Sequence, residues 1–309
     1  MFGFEELAGS VSDNITIDDD QLSSAANGRT FTCGSLSTPT LTELRDKAAD
    51  VASTVAGTPL VREVVGDAGA LHANPAHAGA LFQVASQFNL LEMPDPEVTP
   101  ADGITGYVYD HTQGPACAMA CAAGTLQRNW FAQSSDAQID TLAAVGEALG
   151  NLDASVPAFR WWSMLNGYAL LTGDVPADVP ESHPELAIGL HTDTEVTLAG
   201  EGHLVTQAYC SALPVAYSDV DPDIIEPLAR MVLNSAYEAT LAAATINAAR
   251  PGGSNSVFLT LLGGGVFGNP VEWIVDAIER AVDLYAHVAL DIAIVSHGAP
   301  NPAIAELLT

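Results

Sequence analysis

Apolar residues along this chain recur with two periods, and the alternation between them predicts the fold. Residues 60–65, 80–88, 186–198, 204–217, 256–262 and 290–296 are short runs of β-friendly residues, which read as strands. Residues 89–93 read as a continuation of the second of these. Between the strands the spacing becomes helical. In residues 38–56, Leu41, Leu44, Ala48, Val51 and Ala52 share one face. Residues 116–123 predict a helix of small residues running toward Arg128, and 134–149 predicts another with Ile139, Leu142, Val145 and Leu149 on its apolar side. Residues 159–171 carry Trp161, Trp162, Met164, Leu165 and Tyr168 and read as a buried helix, and 224–249 reads as the longest helix. Strands alternating with helices imply a mostly parallel sheet covered on both faces, an α/β fold of three layers, α/β/α. With no internal repeat and no linker visible, 36–309 is expected to be a single domain. Residues 1–35 are polar, with Asp18, Asp19 and Asp20 in a row, and read as a loosely held N-terminal arm. Residues 94–110, rich in Pro, Asp and Gly, read as a long loop or lid.

The stretch 259–270, Leu-Thr-Leu-Leu-Gly-Gly-Gly-Val-Phe-Gly-Asn-Pro, organises the rest. The apolar run before it suits a buried parallel strand. After it, Val271, Ile274, Val275, Ile278, Val282 and Tyr285 recur at helical spacing. Asn269 is expected to cap that helix, with Pro270 in its first turn and Glu272 completing a capping box. A strand entering a glycine loop and then a helix N-terminus is an anion site, because amides and helix dipole point at its guest. A phosphate is the natural occupant.

Charge narrows the guest's surroundings. The 309 residues carry a formal net charge of −29, with nine basic residues of which Lys47 is the single lysine. Such a surface repels nucleic acid and anionic membranes, so neither is expected as a partner. A salt-adapted cytoplasm and GC-rich coding are both compatible with this balance. An anionic ligand must be held by backbone amides and a few polar side chains. Cys33, Cys117, Cys121 and Cys210 form no recognisable disulfide or zinc framework, and Cys117 and Cys121 are expected to pack on one helical face. No basic segment followed by an apolar run opens the chain, and no uncharged stretch has the length of a membrane span, so a cytoplasmic protein is expected. His72, His77 and His111 show no metal-ligand spacing, so no metal is expected.

In parallel sheets ligands bind beyond the C-terminal strand ends, which here brings together residues 87–92, 263–269 and 296–301. The candidates for ligand contact are therefore Gln87, Asn89, Gly263, Gly264, Gly265, Val266, Phe267, Gly268, Asn269 and Asn301, joined by Asp67 and by Thr112, Gln113 and Gly114 of a second helix-opening loop. Amide side chains such as Gln87 and Asn89 suit ribose hydroxyls or a base edge. Glu92 and Asp110 are the carboxylates nearest this cluster and are the candidate general acid and base. Residues 263–268 formally fit G-x-G-x-x-G, the dinucleotide fingerprint. That motif normally opens the first βαβ unit, whereas only one strand follows here. Nor does the final strand end in the acid that would meet a ribose. Cys210 is an alternative nucleophile, although nothing in the sequence sets a histidine beside it.

Two stretches resemble a known family. Residues 61–67, Val-Arg-Glu-Val-Val-Gly-Asp, followed by 80–89, are similar to the opening strands of macrodomains. Residues 264–270, Gly-Gly-Val-Phe-Gly-Asn-Pro, are similar to their second phosphate loop, and Thr112-Gln113-Gly114-Pro115 stands where their first glycine-rich loop would. The resemblance spans residues 60–300 with a large middle insertion. It implies a macrodomain-like fold and a protein without a cofactor that binds ADP-ribose, a related nucleotide or an ADP-ribosylated substrate. Hydrolysis of an ADP-ribosyl linkage is the further activity it implies, with a non-catalytic nucleotide reader as the alternative. It also implies that Asp67 meets the adenine amine, Asn89 the distal ribose, and Gly264 to Phe267 the diphosphate. The paired glutamates that poly(ADP-ribose) glycohydrolases carry after the first loop are absent, since residues 116–128 contain no acid.

Overall fold

In the computed structural model, residues 1–151, 160–173, 175–176, 178–198, 200 and 202–308 are described. The N-terminal residues do not form the loose arm their polarity suggested. A helix α1 (Ala8–Asn14) leads into an antiparallel sheet of β1 (Ile15–Asp18), β2 (Gln21–Ser24) and β3 (Thr30–Thr32). Four of their apolar residues, Val11, Ile15, Leu22 and Phe31, are buried against Ile104, Tyr107 and Leu126, with Ile17 partly buried beside them. Glu6 fastens the segment by accepting from the amides of Ile104 and Thr105, at 2.9 and 2.7 Å, and from the Trp130 indole at 2.6 Å.

Beyond β4 (Ser35–Ser37) comes α2 (Leu41–Val51), held at its start by a capping box between Thr40 and Glu43. The βα succession then runs β5 (Leu60–Val65), α3 (Ala68–Ala73), β6 (Leu81–Ala85), α4 (Gln113–Ala120) and α5 (Ala122–Trp130). A middle segment carries α6 (Ala143–Ala148) and the strands β7 (Trp162–Leu165) and β8 (Tyr168–Leu171). The chain closes with β9 (Gly189–Glu195), β10 (Leu204–Cys210), α7 (Pro222–Ala249), β11 (Ser256–Leu259), α8 (Val271–Leu284), β12 (Asp291–Ser296) and α9 (Pro302–Leu307).

The main sheet has seven strands in the order β4-β9-β10-β6-β11-β12-β5. The five from β10 to β5 are parallel, and β9 and β4 are antiparallel additions at one edge. Side chains alternate between two buried faces, as a strand's period of two demands. Leu81, Val257, Leu259, Ile292 and Ile294 join the core under α2, α7 and α8, whereas Phe82, Phe258 and Ala293 face the side of α3 and α4. Helices on both faces make the three-layer α/β/α sandwich. The 28-residue α7 lies in its core, and Tyr237 on α7 accepts from the amide of Leu262 at 2.9 Å and donates to the Thr260 carbonyl at 2.6 Å. That pair anchors the start of the glycine loop.

Three elements differ from expectation. Residues 86–93 do not extend β6: Leu90 adopts φ 65° and Gln87 turns back to bond Leu91, so the chain leaves the sheet in a loop. Of 134–149 only α6 is helical; Ser134 and Ala137 close a turn, and Thr141 bonds the Phe88 carbonyl through both amide and hydroxyl. Residues 162–171 are a β-hairpin, not a buried helix, and Phe159, the expected start of that helix, lies outside the described residues. The Asn166-Gly167 pair explains the hairpin. Both residues take positive φ, 45° and 83°, as a two-residue turn between twisted strands requires.

Candidate active site

At the C-terminal ends of β5, β12, β11 and β6 lies a cleft of two lobes. The larger, about 460 Å³, is lined by Asp67, His111, Gly264, Asn269, His297 and Asn301 among others. The smaller, about 240 Å³, is lined by Gln87, Glu92, Asp110, Gly114, Tyr217, Gly263, Val266 and Phe267. Thr112, Gln113, Thr260, Leu261 and Gly265 border both, so they form the waist between the lobes. Parallel strands fanning apart beyond their last hydrogen bonds leave such a crevice, and the loops after β11 and before α4 wall it.

The glycine loop is shaped by its own hydrogen bonds. The amides of Gly264, Gly268 and Asn269 bond the carbonyls of Leu261, Gly265 and Gly263, at 3.0–3.1 Å. Gly263 and Gly268 take φ 74° and 68°, and a Cβ on Gly263 would meet Ala212 at 2.5 Å. The amides of Gly265, Val266 and Phe267 donate to no acceptor among the described residues. Three consecutive N–H groups are thus left without an acceptor among the described residues. Asn269 does not cap α8 as expected. Its amide nitrogen bonds the carbonyls of Leu213 and Gly263, closing the loop on the segment after β10, and Pro270 occupies the cap position with no side-chain bond. Gly268 lines neither lobe and instead allows close approach to Ala216, whose Cβ would lie 2.8 Å from an added Cβ.

Across the waist stands the start of α4. Gln113 accepts from the Ala85 amide at 3.0 Å and donates to the Gln83 carbonyl at 2.9 Å, so its amide group completes the end of β6. Gly114 passes so near that strand that a Cβ would fall 2.2 Å from the Ala85 carbonyl oxygen. Thr112 donates from amide and hydroxyl to Asp110, at 2.8 and 2.6 Å. Asp67, at the far end of the larger lobe, caps α3 through Ala70 at 2.8 Å and is exposed. Asn301 caps α9.

Two amides proposed for ribose contact are used elsewhere. Asn89 is fully buried and lines neither lobe; it accepts from the Leu91 amide at 3.1 Å and donates to Gln138 at 2.9 Å beneath the hairpin turn. Gln87 borders the smaller lobe, but its amide group is engaged with the backbone of Met93, at 2.7 and 3.1 Å. Both hold the 86–93 loop in shape, the ordinary fate of a buried amide.

That loop presents Glu92. Its side chain is 2% exposed and faces the fully buried Arg128, whose Nη2 lies 3.3 Å from both carboxylate oxygens. Arg128 also donates to the Leu90 carbonyl at 2.6 Å and stacks on Tyr209, 3.7 Å from the ring centre. Tyr107 adds a hydroxyl that accepts from the Glu92 amide at 3.1 Å. Burial pushes the Glu92 carboxyl up from its usual 4.5 to about 7, against the opposing pull of Arg128. A carboxyl poised near neutrality in a cleft suits proton transfer. Arg128, Tyr107 and Tyr217 were not among the expected site residues. They come from three separate segments, and no local spacing in the sequence joins them to Glu92.

Cys210 does not support a thiol mechanism. It is buried, bonded to Thr240, and its thiol is pushed up to about 11 by burial. Cys117 and Cys121 are buried in packing, with Cys121 at the break between α4 and α5. Among the described residues no cluster of His, Cys, Asp and Glu is placed to hold a metal, and no helix is long and apolar enough to cross a membrane.

No family model matches the chain, and no curated relative matches it. Among solved structures the chain is similar to a variant of poly(ADP-ribose) glycohydrolase from Deinococcus radiodurans in complex with ADP-ribose. That likeness has 13% identity, covers 88% of this chain and 90% of the other, and has a TM-score of 0.48. It is also similar to poly(ADP-ribose) glycohydrolase from Thermomonospora curvata bound to the inhibitor ADP-HPD, with 12% identity, 94% and 92% of the two chains covered, and a TM-score of 0.48.

Proposed function

We propose that this chain binds ADP-ribose or a closely related nucleoside diphosphate along the two-lobed cleft and hydrolyses an ADP-ribosyl linkage in the smaller lobe. The observation that carries the reading is the glycine loop opposite the start of α4, where the amides of Gly265 at the waist and of Val266 and Phe267 in the smaller lobe have no acceptor among the described residues. A diphosphate there receives charge-assisted hydrogen bonds, each contributing about 1.5–3 kcal/mol. Among the described residues no arginine or lysine lines either lobe. A nucleoside then extends into the larger lobe toward Asp67, whose carboxylate accepts from an exocyclic amine. The distal ribose enters the smaller lobe beside Glu92.

For hydrolysis, protonated Glu92 gives its proton to the leaving oxygen as the bond from the anomeric carbon breaks. Water then attacks that carbon and returns a proton to Glu92. Asp110, on the same lobe, supports the developing positive charge. Arg128 holds the Glu92 carboxyl from behind.

Isothermal titration with ADP-ribose tests the binding, and absence of heat and of thermal shift at saturating ligand refutes it. Release of ADP-ribose from an ADP-ribosylated protein tests the chemistry. Loss of at least a hundredfold in turnover in Glu92→Gln is expected, the usual scale for a general acid. Tight binding with no release would make the protein a reader.

A further inference from the structure

The smaller lobe has a composition unlike that of a sugar-hydroxyl site. Its two candidate amides, Gln87 and Gln113, are both engaged with backbone, so neither is free to read hydroxyl groups. Its acidic lining groups are Glu92 and Asp110, and among the described residues no histidine, lysine or arginine lines it. Its outer wall is aromatic. Tyr217 and Phe267 meet edge to face with ring centres 5.9 Å apart, and both rest on the buried Tyr168 at 5.6 Å. Tyr168 is fixed by its hydroxyl, which donates to the Met93 carbonyl at 2.6 Å. Tyr217 is 43% exposed, so its ring is offered to the lobe from a rigid base.

Carboxylates can accept from ribose hydroxyls, and Tyr217 and Phe267 offer aromatic surface in the same lobe. An aromatic ring stacks there, and a positive charge on it is favoured by the ring quadrupole and by the Asp110 carboxylate on the same lobe. We propose that the smaller lobe takes a positively charged aromatic ring, so that the preferred ligand is a nucleoside diphosphate bearing a pyridinium-type group on its distal ribose. Tyr217 is then the residue that determines specificity. This inference rests on the cleft binding the nucleoside diphosphate portion.

Calorimetric titration of the full chain with ADP, ADP-ribose, NAD+ and NADH tests it, with NAD+ checked for integrity after each run. NAD+ is expected to bind about tenfold more tightly than ADP-ribose, the scale of a desolvated cation over an aromatic face. NADH, whose dihydropyridine ring is neutral, loses that advantage. Tyr217→Leu removes the NAD+ preference and leaves the ADP affinity within about twofold. Equal affinity for ADP-ribose and NAD+, or equal affinity for NAD+ and NADH, would overturn the proposal on the wild-type protein alone. Equal weakening of all ligands by Tyr217→Leu would overturn it too. If ADP itself gives no heat, the underlying nucleotide reading fails instead.

Discussion

Glu92→Gln separates the proton on this carboxyl from its shape. Burial raises the carboxyl from 4.5 to about 7. The folded protein therefore holds this proton through a range in which the unfolded chain has lost it. Within that window the folded state carries more protons, so stability falls as pH rises, and it is fully retained only below about 4.5. The shift corresponds to about 3 kcal/mol in all, and with the side chain 2% exposed, solvent does little to screen it. In Glu92→Gln nothing titrates at this position. At pH 5 the two proteins present a neutral group of the same shape to Arg128, and their stabilities should be similar. By pH 8 the wild type should have lost most of that 3 kcal/mol relative to the variant. Urea unfolding of both proteins from pH 5 to 8 measures this. A wild-type-minus-variant difference constant to within about 0.5 kcal/mol, near the scatter of such measurements, would mean that Glu92 is ionised throughout. The general-acid assignment would then fall.

Other outcomes test the cleft and its supports. Gly265→Ala should leave the melting temperature nearly unchanged, since an added Cβ meets nothing within 4 Å, yet it should weaken ADP-ribose by tenfold or more by crowding the waist; unchanged affinity would remove the diphosphate from that loop. Gly263→Ala should instead destabilise by about 1–3 kcal/mol in a thermal melt, because φ is 74° and the Cβ would lie 2.5 Å from Ala212. Gly167→Ala, at φ 83° and with its Cβ 2.5 Å from the Asn89 side chain, should cost about as much and disturb the 86–93 loop, read as loss of turnover exceeding loss of binding. Native-state alkylation should leave activity intact, since all four cysteines are buried; rapid inactivation by iodoacetamide would restore a thiol mechanism.

Where local pattern and tertiary environment agree, the sequence is legible. Leu60–Val65 is a strand over the residues its apolar run marks, and the strand, glycine loop and helix of 256–284 follow in the expected order. The hairpin shows the opposite case. Trp161, Trp162, Met164, Leu165 and Tyr168 read as one apolar stripe, but the positive-φ pair at Asn166 and Gly167 reverses the chain. Residues 1–35 are packed and not loose because, although few of them are apolar, Val11, Ile15, Leu22 and Phe31 are buried in one cluster. Asn269 and Asn89 illustrate a third kind of difference. An amide that looks available in sequence is claimed in the fold by whichever backbone group would otherwise be buried unpaired.

By itself the sequence determined the layer architecture and the place of the glycine loop between β11 and α8, since period-two and period-3.6 patterns and glycine content act over a few residues. Its nine basic residues in 309 also make a basic cradle for an anion unexpected. Only the tertiary structure decided which carboxyl is raised and what surrounds it. Glu92, Tyr107 and Arg128 meet through a loop, a 3₁₀ turn and a helix, and Tyr217 joins the wall from beyond β10. Desolvation and ring contact depend on distances in space between residues far apart in the chain, and no spacing along the chain encodes them.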